Sequence, residues 1–177
     1  MIDAVGYGKA LYELSAENGT QDRVREELRV ICEALEQQPQ YITLMDTPAV
    51  GSGEKCRLLK EAFAGVEEML CNFLCILCEK RAFYCLSACR RAYEGAYDQA
   101  HNILRATALT AKPMEERQKQ ALKQKLSAMT GKQVELDNRI EPALIGGIRL
   151  RYAGVQLDGS IQNRLETLRR NLAEAIV

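Results

Sequence analysis

Ala143-Leu144-Ile145-Gly146-Gly147-Ile148-Arg149-Leu150, running on through Val155-Gln156-Leu157-Asp158-Gly159-Ser160, is the stretch from which the fold can be read. A Gly-Gly pair interrupts an apolar run where a helix could continue only at a cost, since glycine has the most backbone freedom to lose and no side chain to pack. The pair therefore introduces a strand. Alternation at Ile148, Leu150 and Tyr152 marks that strand as half-buried, and Ala153-Gly154 offers a tight return into a second strand carrying Val155 and Leu157. Asp158 or Ser160 then supplies a helix N-cap. Ile161, Leu165, Leu168, Leu172 and Ile176 recur every three to four residues to the end of the sequence.

Upstream, the apolar period changes from 3.6 to 2 at Ile103, where β-branched residues enter in Ile103-Leu104-Arg105-Ala106-Thr107-Ala108-Leu109-Thr110. This marks a boundary between residues 1–104 and 105–177. Beyond it, Pro113 opens an amphipathic helix with Leu122, Leu126 and Met129, which Gly131 ends, and Lys132 to Leu136 form another strand. The expected order is β-α-β-β-β-α. Before the boundary nearly everything is helical. Tyr7, Leu11 and Leu14 form one stripe, ended by Asn18-Gly19, and Val24, Leu28, Ile31 and Leu35 form the next, stopped by Pro39. A short turn follows from Tyr41 to Met45. A fourth helix capped by Ser52 carries Leu58, Leu59, Ala62 and Phe63. A fifth carries Val66, Leu70, Phe73 and Leu77, and a sixth runs from about Ala82 to about His101. The expected fold is α+β, an N-terminal six-helix antiparallel bundle followed by a small β-α-β-β-β-α domain.

The 177 residues carry 24 basic and 24 acidic side chains, so there is no overall cationic field of the kind nucleic-acid binding uses. The balance hides an asymmetry. Residues 1–104 carry 11 Lys and Arg against 16 Asp and Glu, whereas residues 105–177 carry 13 against 8, which suggests two modules facing different partners. A basic nucleic-acid module in the second half is the weaker alternative, because Lys112, Lys119, Lys123 and Lys125 have no stacking aromatics between them. The first twenty residues hold Asp3, Glu13 and Glu17 and no cleavable apolar core, so the protein is expected to stay inside the cell. The most apolar run, Met69 to Cys78, is too short to span a bilayer, so membrane association is expected only through partners.

Five of the seven cysteines, Cys71, Cys75, Cys78, Cys85 and Cys89, raise a metal-binding or redox-sensing reading. Their helical spacing and apolar neighbours favour core packing as small hydrophobes. Catalysis lacks its parts: His101 is the lone histidine, and Gly51-Ser52-Gly53-Glu54-Lys55 departs from a phosphate-binding loop in spacing and lacks a preceding strand. The helix from Val66 to Cys78 is apolar nearly all round, with Glu67, Glu68 and Asn72 as its only polar residues. Such a helix is either central in its bundle or has a second apolar face, and a groove that receives an amphipathic helix of another protein is favoured over a purely internal role.

Leu144-Ile145-Gly146-Gly147 before a strand, then Leu157-Asp158-Gly159-Ser160-Ile161 and Arg164-Leu165-Glu166-Thr167-Leu168, resembles the C-terminal signature of the F-type ATP synthase δ subunit family, which includes the mitochondrial oligomycin-sensitivity-conferring protein. Tyr7-Gly8-Lys9-Ala10-Leu11-Tyr12-Glu13-Leu14, Thr47-Pro48 with Glu54-Lys55, Glu79-Lys80-Arg81 and Ala106-Thr107-Ala108-Leu109-Thr110 are similar to its earlier segments. Ala153 departs from it, standing where the family more often has glycine, which puts the hairpin register in question.

The resemblance implies a non-enzymatic peripheral-stalk subunit without cofactor or metal, present once per complex, on the cytoplasmic face of a bacterial membrane. Its helical domain would grip N-terminal segments of the head's α subunits, and its C-terminal domain would hold the C-terminal end of subunit b. Rotation driven by protons or sodium ions would thereby be coupled to ATP synthesis. The expected contact residues are Tyr7, Leu11, Leu14, Leu70, Leu74 and Leu77 for the head. For the stalk they are Ile161, Leu165 and Leu168 with Arg169 and Arg170 as a cationic rim.

Overall fold

The computed structural model describes residues 3–48 and 50–175, and side chains as far as Arg169. The protein is of mixed helix and sheet and divides into two compact units, Met1–Gln99 and Ala100–Val177.

The first unit is helical: α1 (Ala4–Glu17), α2 (Gln21–Glu36), α3 (Pro39–Asp46), α4 (Ser52–Ala62), α5 (Glu68–Glu79), a single 3-10 turn (Phe83–Cys85) and α6 (Leu86–Ala100). Local chemistry sets these limits. Asp3 caps α1 by accepting the Gly6 N–H at 3.0 Å, and Gly19, at φ 68°, turns the chain into α2. Ser52 opens α4 without capping it: the N-cap is Gly51, with no side-chain hydrogen bond. The sixth helix starts later than its apolar pattern suggests because the Asp46 carboxylate takes the N–H groups of Phe83 and Tyr84 at 2.8 and 2.9 Å, holding that segment as a 3-10 turn.

The stripe residues form one core, centred on Val24, Leu28, Ile31, Leu59, Leu70, Leu74, Leu77, Phe83 and Tyr93, joined by Cys32, Cys75, Cys78, Cys85 and Cys89. Every cysteine is a free thiol, and only Cys56 is less than buried. Burial pushes the thiols of Cys78 and Cys32 up to about 12 and about 11, and those of Cys71, Cys75 and Cys89 upward as well. Thiols held neutral in this way are poor nucleophiles and poor ligands. Among the described residues no group of three or more metal-ligating side chains is placed to hold an ion.

The second unit comprises β1 (Ile103–Thr110), α7 (Glu116–Thr130), β2 (Gln133–Ile140), β3 (Ile148–Tyr152), β4 (Val155–Asp158) and α8 (Ile161–Ala175). The sheet order is β2-β1-β3-β4, with β1 and β2 parallel across the α7 crossover and the remaining pairs antiparallel. α7 begins after Pro113 rather than at it, because Glu115 and Gln118 form a reciprocal capping box. Gly131, at φ 67°, ends it. Ala106, Ala108 and Leu150 on one sheet face meet Leu126 of α7 in a small core. The hairpin register is set by Tyr152 facing Val155 across a two-residue turn in which Ala153 and Gly154 both have positive φ, 45° and 79°.

Candidate functional site

Two apolar surfaces stand out among the described residues, one in each unit. In the first, α1 and α5 flank a groove of 520 Å3 lined by Tyr7, Ala10, Leu11, Leu14, Asn18, Glu67, Glu68, Met69, Asn72, Phe73 and Ile76. α1 is held by its opposite side. Gly8 lies so close to the Cys89 carbonyl and the Ala92 side chain of α6 that a Cβ would collide with both. Ser15 bonds the Tyr93 hydroxyl at 2.8 Å, that hydroxyl donates to the Gln21 carbonyl at 2.9 Å, and the Tyr12 ring meets Tyr93 edge-on at 5.6 Å. With α1 pinned by these contacts, Ala10 and Leu14 face outward onto the groove.

α5 supplies the other wall, from a face that differs from the expected one. Tyr7, Leu11 and Leu14 do line the groove, but Leu70, Leu74 and Leu77 are 0% exposed and point into the core. Met69, Phe73 and Ile76 take their place in the wall, and Ile76 is 42% exposed. The physical reason is that the most apolar stripe of an all-round apolar helix is the one its own domain buries. The stripe left outside the core is the one bordered by polar residues, here Glu68 and Asn72, and that border is visible in the sequence.

The second surface is α8. Its apolar residues Ile161, Leu165 and Leu168 are 44%, 57% and 57% exposed, and Arg169 beside them is exposed too. The side chains of Arg170 and Leu172, and Ile176 altogether, lie outside the described residues. The start of the helix is held by hydrogen bonds. The Ser160 hydroxyl accepts the Asn163 N–H at 3.2 Å, the Asp158 carboxylate accepts the Ser160 N–H at 2.9 Å, and Ile161 N–H donates to the Gly146 carbonyl at 3.0 Å. Gly147, at φ 86°, has no room for a Cβ against the Gly159 carbonyl, so the Gly-Gly pair is the socket into which the start of α8 fits. Hydrogen bonds from Ser160, together with the Arg149 guanidinium at 2.9 Å, hold the Asp158 carboxyl down at about 2.

No catalytic constellation accompanies these surfaces among the described residues. Lys55, buried at 3% exposure, donates to the carbonyls of Met45 and Thr47 at 2.7 and 2.5 Å, so it closes the end of α3. No helix among the described residues is long and apolar enough to cross a membrane.

The chain is similar over most of its length to known proteins. The family described as "ATP synthase delta (OSCP) subunit" matches residues 4–172. ATP synthase subunit delta of Geobacillus sp. (strain WCH70) is 30% identical over 172 residues, covering 97% of each chain. The corresponding subunit of Desulforamulus reducens is 33% identical over 167 residues, covering 94% of this chain and 92% of its own. A chain in the cryo-EM structure of the Toxoplasma gondii mitochondrial ATP synthase hexamer shares the fold, with a TM-score of 0.73 over 98% of both chains at 21% identity.

Proposed function

The chain belongs to the ATP synthase delta (OSCP) subunit family, and from that premise we propose that its two units hold two different partners through the two apolar surfaces. As a delta-family protein it is a non-catalytic peripheral-stalk subunit of an F-type ATP synthase, in contact with the α subunits of the head and with subunit b. It keeps the head from turning with the rotor, so that ion-driven rotation is coupled to ATP synthesis. The complex is membrane-bound and this subunit is peripheral to it; in our reading it works on the cytoplasmic face of a bacterial membrane.

We read residues 1–104 as an antiparallel six-helix bundle that seats an N-terminal segment of an α subunit in the α1–α5 groove. Tyr7, Leu11 and Leu14 form one wall; Met69, Phe73 and Ile76 form the other, while Leu70, Leu74 and Leu77 stiffen α5 from behind. Residues 105–177 hold the C-terminal end of subunit b through Ile161, Leu165 and Leu168, with Arg169 and Arg170 as the cationic rim. The observation that carries this reading is the outward apolar stripe of α8, whose 57% exposed leucines lack a covering surface among the described residues. A connector under torque needs affinity and stiffness, which apolar helix-in-groove contacts supply without reactive groups.

Calorimetry of the full-length protein with an α-subunit N-terminal peptide, and separately with a subunit b C-terminal fragment, tests the division. Saturable binding of both, lost for the α-subunit peptide alone with Ile76→Asp and weakened for the subunit b fragment alone with Leu165→Asp, is expected. Loss of both ligands with either variant would overturn it.

A further inference from the structure

The α1–α5 groove is mostly apolar, and the charged residues among its described lining sit at one mouth. Among its described lining residues the carboxylates are Glu67 and Glu68, both at the start of α5. Arg23, in the first turn of α2, pairs with Glu67 at 3.1 Å and donates to the Gly65 carbonyl at 2.8 Å, so this mouth lies beside the turn joining α1 to α2, where α1 ends at Asn18. At the opposite mouth, by Tyr7 and Ile76, no charged side chain lines the groove among the described residues. The two helix ends at the acidic mouth, the finish of α1 and the start of α5, carry opposing partial charges, which leaves the carboxylates to decide its sign. Arg23 compensates Glu67, whereas Glu68 is exposed and has no ion pair among the described residues.

Resting on the groove as the seat of an α-subunit segment, we propose that Glu68 fixes the direction in which that segment lies. An amphipathic helix enters with its N-terminal end, and the Lys or Arg it carries there, at the Glu67–Glu68 mouth, and runs with its apolar stripe towards Tyr7 and Ile76. A helix N-terminus carries partial positive charge and a basic side chain a full one, so both are stabilised at this mouth and neither at the other. The reverse direction places the carbonyl end of the bound helix against Glu68. The apolar contacts set affinity; the carboxylate sets polarity.

The test uses the full-length protein and two copies of one α-subunit N-terminal peptide, each with a photoreactive benzophenone at one end. After irradiation, cross-links mapped by mass spectrometry should join the N-terminal label to residues around Met69 and the C-terminal label to residues around Tyr7 and Ile76. Glu68→Lys, an exposed substitution that should lower the thermal melt only slightly through the charge at the start of α5, is expected to weaken peptide binding about fivefold at low salt, with the difference fading at high salt. Labels in the opposite order, labels spread over both mouths, or equal affinity of Glu68→Lys and the parent at low salt would overturn the proposal while leaving the groove as the seat. Absence of saturable peptide binding by the unsubstituted protein would overturn both.

Discussion

The two units dispose of their apolar residues in opposite ways. In the first, α1 to α6 turn their stripes inward onto one shared core, and one apolar surface outside it is a groove between two helices that the core already holds in place. In the second, Ala106, Ala108, Leu126 and Leu150 make a small core between the sheet and α7, and the stripe of α8 stays outside it. The first surface is therefore preorganised, whereas the contacts that hold α8 among the described residues lie in its first turn. A preorganised groove loses little freedom on binding, while a projecting helix loses more and gains rigidity from its partner. Exposed apolar side chains thus have different consequences in the two units.

The largest expected effect separates the two faces of one helix. Leu74→Asp puts an unpaired carboxylate at a 0% exposed position, and a loss of about 4 kcal/mol or more should unfold the first unit, seen as a lost or strongly lowered melting transition. Ile76→Asp, two residues on, should melt within about 0.5 kcal/mol of the parent and lose the α-subunit peptide in calorimetry. Equal melting of the two variants would mean that α5 is not divided into a core face and a partner face.

The second effect concerns α8. Leu165→Asp should leave the fold intact, because the side chain is 57% exposed, and should weaken subunit b binding by about 2 kcal/mol. Gly147→Val should cost that contact too, but through the socket: its side chain would collide with the Gly159 backbone and displace the start of α8. A lowered melting temperature for Leu165→Asp would show that the stripe packs on its own domain after all.

These contrasts also show what could be read before the structure. The period change at Ile103, the Gly-Gly pair and the caps at Asn18-Gly19 and Gly131 name the elements, because backbone requirements are local. The strand order β2-β1-β3-β4 is not local, since it depends on which edge of β1 each later strand reaches. The groove was half legible. Tyr7, Leu11 and Leu14 stood out because α1 has one apolar stripe, whereas α5 has two, and choosing Leu70, Leu74 and Leu77 over Met69, Phe73 and Ile76 needed the packing of α4 and α1 against it. Likewise, the role of Lys55 at the end of α3 had no signal in the residues around it.

Titration should separate the units. All seven cysteines lie in the first, and thiols raised by burial contribute stability that is fully present below their ordinary value of 9.0 and is lost as pH rises towards about 12, the value of Cys78. Asp158, in the second unit, is held below its ordinary 3.8, so its contribution is present above that value and lost as pH falls through about 2. NMR signals of the helical unit should therefore broaden first in alkali, and those of the β3–β4 hairpin and α8 start first in acid. At neutral pH, iodoacetamide should label Cys56 ahead of the six buried thiols. Simultaneous loss of both units at either extreme would show that they do not titrate independently.

The smallest expected effect lies in the β3–β4 turn and goes the other way. Ala153 occupies the left-handed region at φ 45°, where a Cβ crowds the following carbonyl, and Gly154 beside it at φ 79° already meets the same demand without strain. The register Tyr152 opposite Val155 leaves two residues for the turn, and a two-residue turn that follows the right-handed twist of its strands needs positive φ at both. Alanine therefore stays there under strain imposed by the strands on either side. Ala153→Gly should relieve it and raise the stability of the second unit by about 0.5 to 1 kcal/mol, with the gain partly offset by the extra freedom glycine has in the unfolded chain. The melting transition of the first unit should not move, since the turn belongs wholly to the other unit. A destabilised second unit would mean that the turn does not hold Ala153 at positive φ, and a matching rise in both transitions would mean that the units melt together.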